Sequence, residues 1–284
     1  LVALAVHSFF WVATLPLVET LTFEHLHENS ARYSRVRLWG SVGFVVAVLG
    51  AGALLDYFPV SSLLWVCVAV LAGIALCSLL VPEAPSRPHI DEQLPIGDIL
   101  RQPQVKAFLA ACFLMTAAHG ALNIFYSIYL ASHGYSTSVV GGLWSLGVLA
   151  EIVVFFFMSR VMLRCSLRLI LLASFVAAVV RFAMIGWGVD SMAILLLTQL
   201  MHGLTFGAFH SASIATVNRW FPGRARSRGQ ALYASVSFGA GGLVGGLASG
   251  WSWDALGAEL TFGLGSVFAL IGLILVALWF PRRL

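Results

Sequence analysis

Apolar runs of about 20 residues, separated by short polar turns, recur along the whole chain, and a helix needs about that length to cross the ~30 Å hydrocarbon core of a bilayer. About nine segments qualify on this length criterion: residues 1–22, 38–57, 61–81, 105–131, 139–162, 167–188, 191–217, 230–251 and 260–280. They lack the period-two alternation over about 10 residues that marks a barrel strand. Open sheet edges are excluded from lipid, so the runs are predicted to be helices. The expected fold class is an all-α polytopic membrane protein.

The polar turns alternate in charge. Arg32, Arg35 and Arg37 lie between the first two spans, and Arg87, Arg101 and Lys106 belong to the long third connection. Arg160, Arg164 and Arg168 follow the fifth span, Arg219, Arg224, Arg226 and Arg228 follow the seventh, and Arg282 and Arg283 close the chain. All but one of the 16 Lys and Arg therefore sit in alternate connections, and the intervening turns carry none. By the positive-inside rule, the basic loops and the C-terminus are expected on the cytoplasmic side.

Residues 82–104 form the long polar, proline-bearing stretch of the chain (Pro82, Pro85, Pro88, Pro95 and Pro103). They read as a linker between a three-helix segment (1–81) and a six-helix bundle (105–284). A short internal repeat fits that division. Leu38-Trp39-Gly40-Ser41-Val42-Gly43-Phe44 matches Leu232-Tyr233-Ala234-Ser235-Val236-Ser237-Phe238, each copy following an arginine cluster and leading into a glycine-rich span. Repeated halves are common in secondary transporters. If the second and eighth spans are mates, the first half is expected to lack about three helices of a twelve-helix design. Leu1, without a Met or a basic leader, reads as a truncation point.

Composition agrees with the spans: of 284 residues, 60% are hydrophobic and 10% charged, against about a quarter charged in soluble domains. The net charge of +4 comes from helix ends, which points to membrane topology and not to nucleic acid. Cys67, Cys77, Cys112 and Cys165 show no metal-binding spacing and read as reduced packing residues. Neither a cofactor nor a metal is expected.

Ionisable groups inside the spans are the candidate chemistry. Glu151 lies in the fifth span, Arg181 in the sixth, His119 in the fourth and His202 in the seventh. Such a group costs at least about 2.5–3.5 kcal/mol on insertion scales, so it pairs or faces a cavity. At 1.5 Å rise per residue, Glu151 lies about 18 Å below the outer end of its span, Arg181 about 11 Å and His202 about 17 Å. His119 comes out near ~18 Å and Asn123 near ~12 Å. These five share a layer near the midplane, where transporters place substrate and coupling-ion sites. In one reading Glu151 exchanges a proton while Arg181 binds a substrate anion or Glu151 itself. In the other the charges form a static ion pair and the histidines bond backbone carbonyls. Tyr126 and Trp144 are candidates for lining an aromatic pocket. Glu19, with Arg35 and Arg37, suggests a gating or structural salt bridge, and His210 a packing or gating residue.

Residues 35–44 (Arg-Val-Arg-Leu-Trp-Gly-Ser-Val-Gly-Phe) and 142–151 (Gly-Leu-Trp-Ser-Leu-Gly-Val-Leu-Ala-Glu) resemble the 3-phenylpropionic acid permease group of the major facilitator superfamily, related to lactose permease. Val179-Val180-Arg181 and Leu200-Met201-His202-Gly203-Leu204-Thr205-Phe206 resemble that group's ninth and tenth helices. The resemblance spans essentially the whole chain, as helices four to twelve. It implies a cell inner-membrane carrier, expected to be monomeric, that couples protons to a small organic solute by alternating access, with an aromatic monocarboxylate such as 3-phenylpropionate as the candidate. In lactose permease a carboxylate, an arginine and a histidine stand in places similar to Glu151, Arg181 and His202. Its further coupling glutamate is replaced here by Thr205, which leaves Glu151 as the leading proton carrier. The general superfamily loop signature is degenerate within residues 159–168. Alternatives from other classes are an intramembrane enzyme using His119, His202 and His210, and a non-transporting, receptor-like remnant.

Overall fold

The computed structural model describes residues 30–82, 96–222 and 225–281. The span expected at 1–22 and most of the expected linker, residues 83–95, lie outside them. The described residues fold as helices, with no strand among them. In chain order these are α1 (Ser30–Tyr57), α2 (Ser62–Leu80), α3 (Gly97–Arg101), α4 (Pro103–Ala118), α5 (Gly120–Ser132) and α6 (Thr137–Arg164). There follow α7 (Leu167–Trp187), α8 (Met192–Leu200), α9 (Phe209–Trp220), α10 (Ala225–Ala234), α11 (Gly242–Leu256) and α12 (Ala258–Trp279). Two π-helical turns, Gly203–Ala208 and Ser235–Gly241, join α8 to α9 and α10 to α11. Seven helical stretches among the described residues, some of them built from two of these helices in succession, are long and apolar enough to cross a membrane.

The chain divides into two compact units, one of Leu1–Ala47 with Tyr57–Glu92 and one of Val48–Asp56 with Gln93–Leu284. In the first, α2 has no buried residue. Leu64, Trp65, Leu76 and Leu79 are all exposed, and a helix that is apolar all round suits lipid.

In the second unit, α12 packs along α7 and α4, α11 packs on α5, and the first π turn lies between α6 and α7. The serines before α6 and α7 act as N-caps: Ser136 and Ser166 accept from the N–H groups of Val139 and Leu169. Pro103 opens α4 at a position where its missing N–H costs nothing. Asp56, near the end of α1, caps α6 from outside. Its carboxylate accepts from the Thr137 N–H at 3.0 Å, the Ser138 N–H at 3.3 Å and the Thr137 hydroxyl at 2.5 Å, and it also bonds the Ser138 hydroxyl. A negative charge here complements the positive end of the helix dipole.

Three expected spans are interrupted, the one placed at 230–251 by the second π turn, Ser235–Gly241. The one placed at 105–131 divides at His119. The His119 ring Nδ1 bonds the Met115 carbonyl at 2.8 Å, the usual α-helical acceptor of its own backbone N–H. That N–H turns to the Thr116 carbonyl at 3.1 Å, in a tighter i−3 bond. The next residue, Gly120, lies so close to Gly245 that a Cβ there would collide with the Gly245 backbone. Glycines allow this degree of approach between helices in lipid. The span placed at 191–217 is broken by the π turn directly after His202, a device frequent at functional sites.

Candidate functional site

Arg181, on α7, has no exposed surface and anchors the cluster. Its Nε donates to the Thr198 carbonyl at 2.7 Å. Its Nη1 donates to the Thr205 hydroxyl at 2.9 Å and to His202 Nδ1 at 3.1 Å. A guanidinium donates and never accepts, so Nδ1 of His202 is the accepting nitrogen. In neutral His202 the proton then sits on Nε2, and Nε2 faces Glu151 Oε2 at 3.7 Å. His202 is thus a bridge between a cation and a carboxylate, a short movement from hydrogen bonding the latter.

Backbone packing sets this geometry. A Cβ at Gly203 would stand 2.8 Å from the Ala150 carbonyl, so α6 and the π turn approach at glycine distance just where Glu151 meets His202. A Cβ at Gly147 would meet Gln199 Oε1 at 2.9 Å and His202 Cδ2 at 3.5 Å. Gln199 continues the polar layer, its Nε2 donating to the Tyr126 hydroxyl at 2.7 Å. Tyr126 is buried and meets Trp144 edge-on, with ring centroids 5.6 Å apart. The Trp144 indole donates to Ser127.

His119 joins from α4 and α5. Its ring packs edge-on against Phe182 at 4.9 Å and lies 6.3 Å from the His202 ring, centroid to centroid. A carbonyl only accepts, so His119 Nδ1 donates to Met115. In the neutral ring Nε2 is then a bare lone pair, and it is buried with no hydrogen-bond partner among the described residues. Arg181 Nη2 is likewise buried without a partner among them.

Glu151, Arg181, His202 and His119 therefore come together, with Tyr126 and Trp144 adjoining through Gln199. Asn123, one turn beyond His119, is exposed and does not share that burial. His210 stands apart. It bonds the Tyr233 hydroxyl at 3.1 Å and stacks on Phe206, which stacks in turn on His202. Glu19 lies outside the described residues, as do the side chains of Arg35 and Arg37. Among the described residues, no group of three or more His, Cys, Asp or Glu is placed to hold a metal. Sequence reasoning did not assign Gln199, Phe182 or the Thr198 carbonyl, and it read Thr205 only as a departure from a relative. For Gln199 the signal was an amide inside an apolar run. Phe182 and the Thr198 carbonyl carried none.

Residues 1–264 match the MFS_1 like family. The chain belongs to that family. It is 32% identical over 273 residues to a protein of Escherichia coli described as a probable 3-phenylpropionic acid transporter, covering 94% of this chain and 69% of the relative. It is 25% identical over 271 residues to the maltose permease of Geobacillus stearothermophilus, covering 93% of this chain and 68% of that protein. The chain thus spans roughly two thirds of the length of these relatives. A mutant form of the nucleoside transporter NupG superposes with a TM-score of 0.83 at 17% identity, over 94% of this chain and 73% of that one. The unmutated NupG gives 0.79. The likeness to NupG shows the major-facilitator fold. The motifs around residues 35–44 and 142–151 pointed to this superfamily, and the match confirms it: the protein is a multi-pass membrane protein of a transporter family.

Proposed function

We propose that this chain works within a proton-coupled symporter that carries a small organic acid by alternating access, with an aromatic monocarboxylate such as 3-phenylpropionate as the candidate solute. The observation that carries the reading is the buried Arg181, which keeps one Nη2 donor unused beside the Glu151–His202 pair. A buried guanidinium with a spare N–H is a natural partner for a carboxyl oxygen. The 32% identical Escherichia coli relative, described as a probable 3-phenylpropionic acid transporter, supports the solute class.

Glu151 carries the proton, Arg181 receives the solute's carboxyl group, and His202 links the two. Release of the proton from Glu151 changes the charge facing His202 and, through it, the hold on Arg181. Tyr126 and Trp144 form the aromatic wall, and Asn123 borders the solute's path. His210, and Glu19 with Arg35 and Arg37, act in gating. Residues 105–284 form the C-terminal bundle and 82–104 the linker to the preceding helices. The carrier is a monomer in the inner membrane, with its C-terminus in the cytoplasm by the distribution of basic loops.

Uptake of radiolabelled 3-phenylpropionate into proteoliposomes, with and without an inward proton gradient, tests this reading. Accumulation that follows the gradient is expected. Uptake indifferent to the gradient contradicts proton coupling, and uptake of other solutes alone contradicts the solute class.

A further inference from the structure

The two buried atoms without partners are complementary in kind. Arg181 Nη2 can only donate, and neutral His119 Nε2 can only accept. Both side chains rest on Phe182: the His119 ring at 4.9 Å edge-on, and the Arg181 guanidinium carbon 5.7 Å from the ring centroid. His119 is 6% exposed and Arg181 fully buried. Leaving either atom unpaired costs about 1–3 kcal/mol, so the site favours a group that serves both.

A bare carboxylate does not. Both its oxygens accept, so one satisfies Arg181 while the other faces the lone pair of His119. Adding one proton removes the conflict. With the proton on the solute, a carboxylic acid O–H donates to Nε2 while its C=O accepts from Nη2. With the proton on His119, the imidazolium N–H donates to the carboxylate. Either way, one carboxylate and one proton are bound together.

Building on the proposed function, we infer that His119 and Arg181 form a single carboxyl-binding point that takes up one proton with each carboxylate, separately from the proton on Glu151. The proton comes from the aqueous phase that delivers the solute and leaves with it, so no other reactant is required. The charged or titratable groups facing this point are His202, after α8, and the buried Tyr126 on α5, with Glu151 on α6 reached through His202. The α11 and α12 faces packed beside it present Gly245, Ser249 and Gly265. His119 acts here as a binding residue, and Met115 positions its ring.

The test is proton uptake on binding, read with a pH indicator in weakly buffered detergent solution at pH 7, where a free carboxylate is ionised. The probes are 3-phenylpropionate, benzoate and the uncharged 3-phenylpropionamide, whose amide offers one donor and one acceptor without a proton from solution. The purified Glu151→Gln protein should take up about one proton per carboxylate bound and none with the amide. In the double variant combining Glu151→Gln with His119→Gln, the amide introduced in place of the imidazole supplies the N–H, and uptake should fall at least about fivefold while binding persists. Carboxylate binding without proton uptake in Glu151→Gln overturns the inference and leaves the proposed function standing. Failure of every carboxylate to bind wild type overturns both. The acid-against-amide comparison in Glu151→Gln decides the matter even where the double variant fails to fold.

Discussion

Arg181 sets the tautomer of His202. The guanidinium donates to Nδ1 at 3.1 Å, so in the neutral ring the proton is held on Nε2, 3.7 Å from Glu151 Oε2. A proton arriving at or leaving Glu151 is therefore felt by Arg181 through one imidazole. In the proposed symporter this joins the proton carrier on α6 to the carboxyl-binding arginine on α7 without direct contact being required.

His202→Ala removes that link and leaves Nη1 with the Thr205 hydroxyl. Hydrogen bonds to charged groups are worth about 1.5–3 kcal/mol, so gradient-driven uptake should fall by about ten- to a hundredfold. His202→Gln keeps an acceptor and a donor on one side chain and should lose less. Equal losses in the two variants would show that the imidazole contributes bulk and not the bridge.

Arg181→Lys preserves charge but replaces a planar fork with a point donor. It cannot serve the Thr198 carbonyl, Thr205, His202 and a solute together. The expected result is a fall in solute affinity of at least about tenfold, measured by equilibrium binding, with a lower melting temperature. Near wild-type affinity would remove Arg181 from the solute site.

Much of this was legible in the residues, for physical reasons. Spans announce themselves by length and apolarity. Glu151 and Arg181 stand out because charge in an apolar run is costly. The break at His119 was hidden, because it depends on a side chain displacing its own backbone N–H from the Met115 carbonyl. The roles of Thr205 and of the Thr198 carbonyl were hidden too, since each is defined by the arginine of a different helix. Asn123 shared the depth of Arg181 in the helix-rise estimate, but depth says nothing of the face a residue occupies, and it is exposed.

Gly120→Ala should push α5 from α11, because the added Cβ meets the Gly245 backbone. A cost of about 1–3 kcal/mol is typical of overpacking. His119, next in sequence, should shift with it and uptake should drop. Gly142→Ala meets nothing within 4 Å and serves as the neutral control. Thermal unfolding of the two variants in detergent tests the contrast, and matched melting temperatures would argue against this helix crossing.

Asp56→Ala removes the carboxylate from the N-terminus of α6, leaving the Thr137 and Ser138 N–H groups without it. Faster hydrogen exchange at the first turn of α6 is expected, with little change around Arg181. Unchanged exchange at Thr137 and Ser138 would show that the cap does not hold that turn.

The most direct test of the central claim is Glu151→Gln in proteoliposomes, comparing accumulation of labelled 3-phenylpropionate driven by a pH gradient with exchange of labelled for unlabelled solute at equal pH. If Glu151 carries the coupled proton, gradient-driven accumulation is lost while exchange persists. Accumulation that still follows the pH gradient at the wild-type level would contradict the account.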